Sequence, residues 1–419
     1  MAKNRNSYQC SQCGAVLSKW AGQCPECQEW NSVSEVVAES RPAGRFAGYA
    51  GQLSNAITDL SAVERSSIDR VAVGVGELDR VLGGGIVPGS VTLLGGDPGI
   101  GKSTLLIQLV AALAEKMPSL YITGEESLEQ LGMRARRLGL SLDGIRCLAE
   151  TQIEQILGHA AREKPQLMIV DSIQTVFTEN LSSAPGSVAQ IRESAAALVR
   201  WAKENRCSIV LVGHVTKEGA LAGPRVLEHM VDCVLYFESD GGSRYRVVRA
   251  IKNRFRAVNE LGMIAMTGSG LKEVKNPSAI FLSGHDEPVS GSVITVVLEG
   301  TRPILLEVQA LVAQSDLNNP RRVSLRLEHN RLAMMLAVLH RHGGIALADH
   351  DVFINVVGAM RVSETAADLP MLLALYSSFR DRPVPGNVVS FGEVGLSGEI
   401  RPVPDGEQRL KEAAGHGFE

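Results

Sequence analysis

Residues 90–113 change their hydrophobic rhythm part-way. Ser-Val-Thr-Leu-Leu at 90–94 is an apolar run of buried-strand length. Leu105, Leu106, Leu109, Val110 and Leu113 then recur at helical spacing. Further strand-like runs follow in SLYITGEES (119–127), PQLMIVDSIQT (165–175) and CSIVLVGHVTKEG (207–219), each closing on polar residues. Strands of this kind with helices between them predict an α/β sheet. From about Ser290 the pattern changes. SVITVVLEGTRPILLEVQALV gives two strands, and RLAMMLAVLHRHGG and ETAADLPMLLALYSSFR give helices around the strand DVFINVVGAMRV. VVSFGEVGLSGEIRPVP follows as a hairpin, so a second α/β or α+β domain is expected. Residues 31–65, with AESRPAGRFAGYAGQ, carry no period and predict a linker. The expected domains are therefore 1–30, a linker over 31–65, 66–275 and 276–419.

Composition narrows the function. The 419 residues are 45% hydrophobic, enough for more than one core, and carry a formal net charge of −4. An acidic chain has no bulk attraction for nucleic acid, so binding of DNA requires a local patch. One exists: Arg244, Arg246, Lys252, Arg254 and Arg256 share a parity that an extended strand would put on one face, with Arg249 opposite and no acid among them. No apolar stretch has signal-peptide or membrane-span length, which predicts a cytoplasmic protein without a membrane partner.

Four of the seven cysteines lie in the first 27 residues. Cys10, Cys13, Cys24 and Cys27 form two CxxC knuckles, the spacing at which two thiolate pairs close a tetrahedral Zn²⁺ site. Four thiolates leave no open coordination position, so the predicted metal is structural, and Trp20 and Trp30 are expected beside it. Cys207 and Cys233 lie in apolar surroundings that suit buried thiols.

Between the first strand and its helix, Gly96-Asp97-Pro98-Gly99-Ile100-Gly101-Lys102-Ser103 matches GxxxxGK[ST], followed by Thr104. Backbone N–H groups of such a loop cradle phosphate oxygens, Lys102 reaches the β/γ-phosphates and Ser103 holds Mg²⁺. ATP and Mg²⁺ are the expected cofactors beside Zn²⁺. Glu125 or Glu126 is placed to orient and deprotonate the attacking water, with Glu125 preferred, although acids also favour a helix N-terminus. Asp171 ends its strand as the Mg²⁺ partner through water, Gln174 just beyond it is positioned to sense the γ-phosphate, and His214 ends the third strand beside the phosphate site. The segments TENLSSAPGSVAQ and TKEGALAGPRVLEHM predict loops, the second carrying Lys217 and Arg225.

These motifs together resemble the bacterial RadA (Sms) family of recombination ATPases, related to RecA and to hexameric DnaB-type helicases. The resemblance runs through the four-cysteine ribbon, GGDPGIGKST, ITGEES, IVDSIQT, GHVTKEG and KNRF at 252–255. It implies DNA-dependent motor activity, with Lys252 and Arg254 reaching the neighbouring subunit's nucleotide in a ring. The family motif continues as KNRFG, whereas residue 256 is arginine. A positive φ there would strain it by about 1–2 kcal/mol; otherwise Arg256 extends the cationic face.

The C-terminal region resembles the Lon protease domain, but Glu364-Thr365-Ala366-Ala367-Asp368 stands at the segment of the Lon nucleophile and Gln408 near the expected lysine. Peptide hydrolysis by a Ser/Lys dyad then has no agent, Ser363 being a weak substitute. The region reads as an assembly scaffold and DNA-facing platform using Arg321, Arg322 and Arg326. The resemblance would continue with further structure beyond HGFE. The implied function is an ATP hydrolase of homologous recombination and repair, a hexameric ring driving branch migration on single-stranded and branched DNA beside a RecA-type recombinase. Two other readings stand against it: a nucleotide-switched zinc-ribbon adaptor, and a KaiC-like kinase or timing switch.

Overall fold

A computed structural model describes residues 7–10, 12, 16, 17, 19–36, 59, 69–214, 225–239, 244–258, 260–282, 287–357 and 362–418. The chain divides into two compact units, residues 1–50 and 51–419.

In the first unit β1 (Ser7–Cys10), β2 (Val16–Leu17) and β3 (Val33–Val36) form an antiparallel sheet in the order β2-β1-β3. Pairing of Cys10 with Val33 and Ser7 with Val36 carries the ribbon past residue 30, into the segment expected to be linker. The strand VSEV is too short to announce itself by periodicity and exists because β1 pairs with it. The remaining linker residues 37–58 and 60–65 lie outside the described residues. Among the described residues the core here is only Cys10, Cys24 and Val33, with Leu17 packed on it. Trp20 and Trp30 are 62% and 68% exposed and flank Gly22, rather than being folded into that core.

The second unit opens with α1 (Gly76–Leu82), β4 (Val91–Gly96), α2 (Lys102–Leu113), β5 (Ser119–Thr123) and α3 (Leu128–Arg137). It continues through β6 (Arg146–Ala149), α4 (Ile153–Glu163), β7 (Leu167–Asp171), α5 (Val188–Asn205), β8 (Ser208–His214), α6 (Arg225–Glu228) and β9 (Cys233–Glu238). β10 (Tyr245–Asn253), β11 (Leu261–Thr267) and β12 (Gly270–Glu273) extend one edge. The sheet order is β12-β11-β10-β9-β4-β8-β7-β5-β6, parallel from β9 to β6 and antiparallel from β9 outward. β4, β5 and β7 are unbroken apolar or small-residue runs because both faces are covered. On one face Leu105, Leu106, Leu109, Val110 and Leu113 of α2 meet Leu78, Val81 and Leu131. On the other, Ile153 and Ile156 of α4 meet Ile191, Leu198 and Val199 of α5.

The cationic run does not keep its expected alternation. The pairing of β10 with β9 slips at a bulge between Ala250 and Lys252, and the strand ends at Asn253. An extra residue at a bulge re-aims the side chains beyond it. Arg254 and Arg256 therefore leave the strand rather than continue one face.

After α7 (Ser278–Phe281), the strands β13 (Ser292–Glu299), β14 (Arg302–Gln314), β15 (Arg322–Leu325) and β16 (His350–Val356) form a second sheet in the order β13-β14-β16-β15, with only β15 and β16 parallel. α8 (His329–Gly343), α9 (Asp368–Arg380), the hairpin β17 (Glu393–Val394) and β18 (Ile400–Arg401), and α10 (Gly406–Gly415) complete it. β15 forms in a segment whose arginines make it read as surface, because it pairs with β16. Val247, Leu261 and Met263 of the first sheet share one core with Val293, Ile304, Leu332 and Met371, so the expected border at 276 falls inside continuous packing. Arg302, 11% exposed at its side chain, pairs with buried Glu77 at 2.6 Å across the same junction.

Candidate nucleotide site

The strands of a parallel sheet deliver their carboxyl ends to one edge, where ligands of such folds bind. β4 runs there into the loop 96–101 and α2. Gly101, the N-cap of α2, has φ 115°, a conformation an L side chain rarely adopts, and a Cβ on it would lie 2.8 Å from Met266. Lys102 is the first residue of the helix and is buried. Its Nζ donates to the carbonyls of Gly96 (2.8 Å) and Asp97 (3.0 Å) and lies 3.2 Å from His214 Nδ1. Burial lowers its pKa, opposed by the charges of Asp171, Glu125 and Asp97. The amine is thus preset inside the loop, with the carboxylates of Asp171, Glu125 and Asp97 countering the effect of burial. Ser103 and Thr104 follow on the first helical turn, half-buried.

The two acids after β5 part company. Glu126 pairs with Arg134 of α3. Glu125 turns toward the ends of β7 and β8, accepting from the Ser172 hydroxyl and lying 3.0 and 3.3 Å from His214 Nε2. The His214 hydrogen bond holds the Glu125 carboxyl below its usual range against the opposing effect of burial, with Ser172 assisting. Because Lys102 has no acceptor, His214 Nδ1 accepts from it, and Nε2–H donates to Glu125. One imidazole therefore links the loop lysine to the Glu125 carboxylate.

Asp171 at the end of β7 is 7% exposed and accepts from Tyr121 Oη at 2.6 Å. Burial, then the neighbouring Asp171 charge, pushes the Tyr121 phenol well above its ordinary pKa, so it remains a donor. Gln174 has a buried Oε1 with no hydrogen-bond partner among the described residues, an orphaned acceptor beside the site. The donor set fits a nucleoside triphosphate with Mg²⁺: a cationic loop, a half-buried hydroxyl at Ser103 and carboxylates at the same sheet edge.

Tyr121 and Ser172 were missed from the sequence. Tyr121 reads as one more apolar strand residue, and nothing local marks its hydroxyl as aimed at β7. Arg246 was missed as well; it donates to the loop carbonyl of Ile100 at 3.3 Å. A cationic run counted as a unit hides which member faces the loop.

Lys252 and Arg254 stand at the opposite end of the same sheet. Arg254 N–H donates to Asp232 O and Asp232 N–H to Val91 O, which sets Arg254 level with the first residue of β4. From Val91 to Gly96 is about 17 Å along the strand, beyond an arginine's reach to its own loop. Lys252 Nζ donates to the carbonyls of Glu228 (2.6 Å) and Val231 (2.8 Å). Burial lowers its pKa, helped by Arg254 and opposed by Asp232 and Glu228. Arg254 is 54% exposed at its side chain and meets Asp232 at 3.2 Å. Asn253 is buried, donating to the carbonyls of Val81 and Leu82. Arg256 is not among the residues with positive φ, so no strain attends the arginine there. Its stem lies over Gly83, where a Cβ would approach Arg256 Cγ to 2.3 Å.

The remaining expected DNA contacts scatter. Lys217 lies outside the described residues, and Arg225 opens α6. Arg321 is exposed; Arg322 is turned to its own sheet, donating to Leu347 O at 2.6 Å and to His350 O. At the Lon-like segment, Glu364 is held by fully buried Arg409 at 2.7 Å, while Ser363 and Gln408 are exposed.

In the ribbon, the sulfurs of Cys10, Cys24 and Cys27 lie within 4.8 Å of one another, and those of Cys10 and Cys27 are 3.6 Å apart. Tetrahedral zinc–thiolate geometry puts sulfurs about 3.8 Å apart, so this set fits Zn²⁺. Cys13, the fourth expected ligand, lies outside the described residues.

Residues 59–220 match the AAA domain family and residues 8–35 the rubredoxin metal binding domain family. Three curated proteins, each named DNA repair protein RadA, align along the chain. The one from Pseudomonas aeruginosa is 60% identical over all of this chain and 92% of its own length. That from Escherichia coli is 56% identical over 99% of this chain and 91% of its own. That from Bacillus subtilis is 46% identical over all of this chain and 92% of its own. With a P-loop ATPase domain and a zinc ribbon arranged as the sequence predicts, the chain belongs to the RadA family.

Proposed function

We propose that this protein is a DNA-dependent ATPase of homologous recombination and repair, acting as a ring in which each nucleotide is shared between neighbouring subunits. The observation that carries this reading is the separation along the sheet: Lys102, Glu125 and Asp171 gather at one end, and Arg254 projects at the other. A cation that cannot meet its own phosphates is useful to those of the next subunit.

In this mechanism Lys102 leaves the carbonyls of Gly96 and Asp97 for the β/γ-phosphates. Ser103, with Asp171 through water, would hold Mg²⁺, which neutralises phosphate charge when bound. Tyr121 fixes the orientation of the Asp171 carboxylate. Glu125, kept ionised by His214 and Ser172, orients the attacking water and takes its proton. Gln174 supplies an unengaged acceptor beside it. Arg254 of the adjacent subunit stabilises charge developing on the transferred phosphoryl group, an effect of order 10³–10⁵ in rate where such fingers operate. The names of the relatives support DNA as the partner. We assign the segments after β7 and β8, with Lys217, Arg225 and Arg321, to phosphate contacts that move the strand without reading its sequence. Movement of a branch point, a hexameric ring and cooperation with a RecA-type recombinase complete the reading.

The test is steady-state ATP hydrolysis with and without single-stranded DNA across a salt series, with Lys102→Ala as the blank. Stimulation that weakens as salt rises is expected, because phosphate contacts release counterions. Hydrolysis indifferent to DNA would favour the nucleotide-switched adaptor instead.

A further inference from the structure

KNRF offers two cations to the same task, yet they are held differently. Lys252 points its Nζ at two main-chain carbonyls of its own subunit, Glu228 O and Val231 O, both within 2.8 Å. These carbonyls bracket the turn that follows α6. The next residue, Asp232, is buried and multiply engaged. Its carboxylate accepts from Val91 N–H at 3.0 Å and pairs with Lys203 at 2.6 Å and Arg254 at 3.2 Å. Its backbone bonds to Val91 and Arg254 on either side. A lysine satisfied by two carbonyls gives up those bonds if it turns to a phosphate, and the turn beneath it loses its closure. Arg254 gives up only one contact to an exposed guanidinium.

We propose that Lys252 is a positioning residue acting within its own subunit: it closes the 228–231 turn, which fixes Asp232, and Asp232 sets the Arg254 guanidinium. This rests on the reading that Arg254 serves the neighbouring subunit's nucleotide, and it divides the motif between one cation that reaches and one that holds. Asp232 also joins this arrangement to the first residue of β4, the strand that leads into the phosphate loop.

Glutamine and methionine separate the two roles of a lysine. A glutamine carboxamide still offers N–H donors to carbonyls but carries no charge for a phosphate; methionine offers neither. The full chain is compared as parent, Lys252→Gln, Lys252→Met, Arg254→Ala, and Lys252→Met with Arg254→Ala. Amide hydrogen exchange over residues 226–236 is followed beside DNA-stimulated hydrolysis. Lys252→Met should speed exchange of this segment roughly tenfold, as loss of hydrogen bonds to a charged group implies. Lys252→Gln should restore most of the protection and most of the hydrolysis lost in Lys252→Met. The double variant should hydrolyse within about twofold of Arg254→Ala alone, because a residue acting through another adds nothing once that other is gone. Unchanged exchange in Lys252→Met, equal losses in the Gln and Met variants, or multiplicative loss in the double variant would overturn the proposal. Full activity of Arg254→Ala would instead sink the trans reading, and exchange alone would then decide the role of Lys252.

Discussion

At Glu125 a hydrogen bond decides between two adjacent acids. The sequence ITGEES offers Glu125 ahead of Glu126 as the base; Arg134 claims Glu126, and Ser172 with His214 claims Glu125. Glu125→Gln should lower hydrolysis by ~10²–10⁴ while nucleotide still binds, as loss of a general base implies; equilibrium binding of a fluorescent ATP analogue beside turnover measures both. His214 is the largest influence lowering the Glu125 pKa. A base with a depressed pKa is active above it and fails as pH falls through it. His214→Ala should therefore move the acidic limb of the kcat–pH profile to higher pH. Tyr121→Phe removes one donor to a buried carboxylate and should lower kcat/KM about tenfold, with greater demand for Mg²⁺. Lys102 and Ser103 are legible because the phosphate loop is written in consecutive residues, and Asp171 because it closes an apolar strand. The roles of Tyr121 and Ser172 and the two contacts of His214 are not, since their partners lie on other strands.

The ribbon and the bulged strand show how far periodicity carries an element. CxxC spacing announces the ribbon, and its meagre apolar core explains why a metal is needed. Chelation of zinc should expose the ribbon thiols to alkylation. Cys207 and Cys233, whose pKa values burial pushes up to about 12, should stay unreactive until the whole chain unfolds. Mass spectrometry of the labelled peptides distinguishes the two groups. β4, β5 and β7 were plain in the sequence because a strand buried on both faces is an unbroken apolar run. β10 departs from the expected alternation beyond Ala250, where one extra residue shifts its register on β9. A bulge depends on what the neighbouring strand pairs with, and parity along one segment cannot reveal it. β15 stayed hidden for a related reason: four residues with arginine at the head read as surface until β16 pairs with them.

For the whole molecule, the C-terminal layers and the ATPase sheet share one core, despite the change of pattern near Ser290. Arg302 and Glu77 are both nearly buried, so Arg302→Ala leaves a carboxylate without its cation and should destabilise the second unit by about 3–5 kcal/mol. A single lowered unfolding transition in calorimetry is the expected outcome; two separate transitions would mark independent domains. Arg254 lies level with the start of β4 and the phosphate loop at its end, about 17 Å along the strand, so an arginine there does not reach the loop of its own chain. The most direct test of a shared site mixes subunits. Lys102→Ala and Arg254→Ala proteins, each strongly impaired alone in DNA-stimulated hydrolysis, are combined in equal amounts. If one supplies the phosphate loop and the other the arginine, the mixture should recover roughly a quarter of the parent rate for independent head-to-tail interfaces. A mixture no more active than its separate components would contradict the shared site and leave Arg254 without a part in the chemistry.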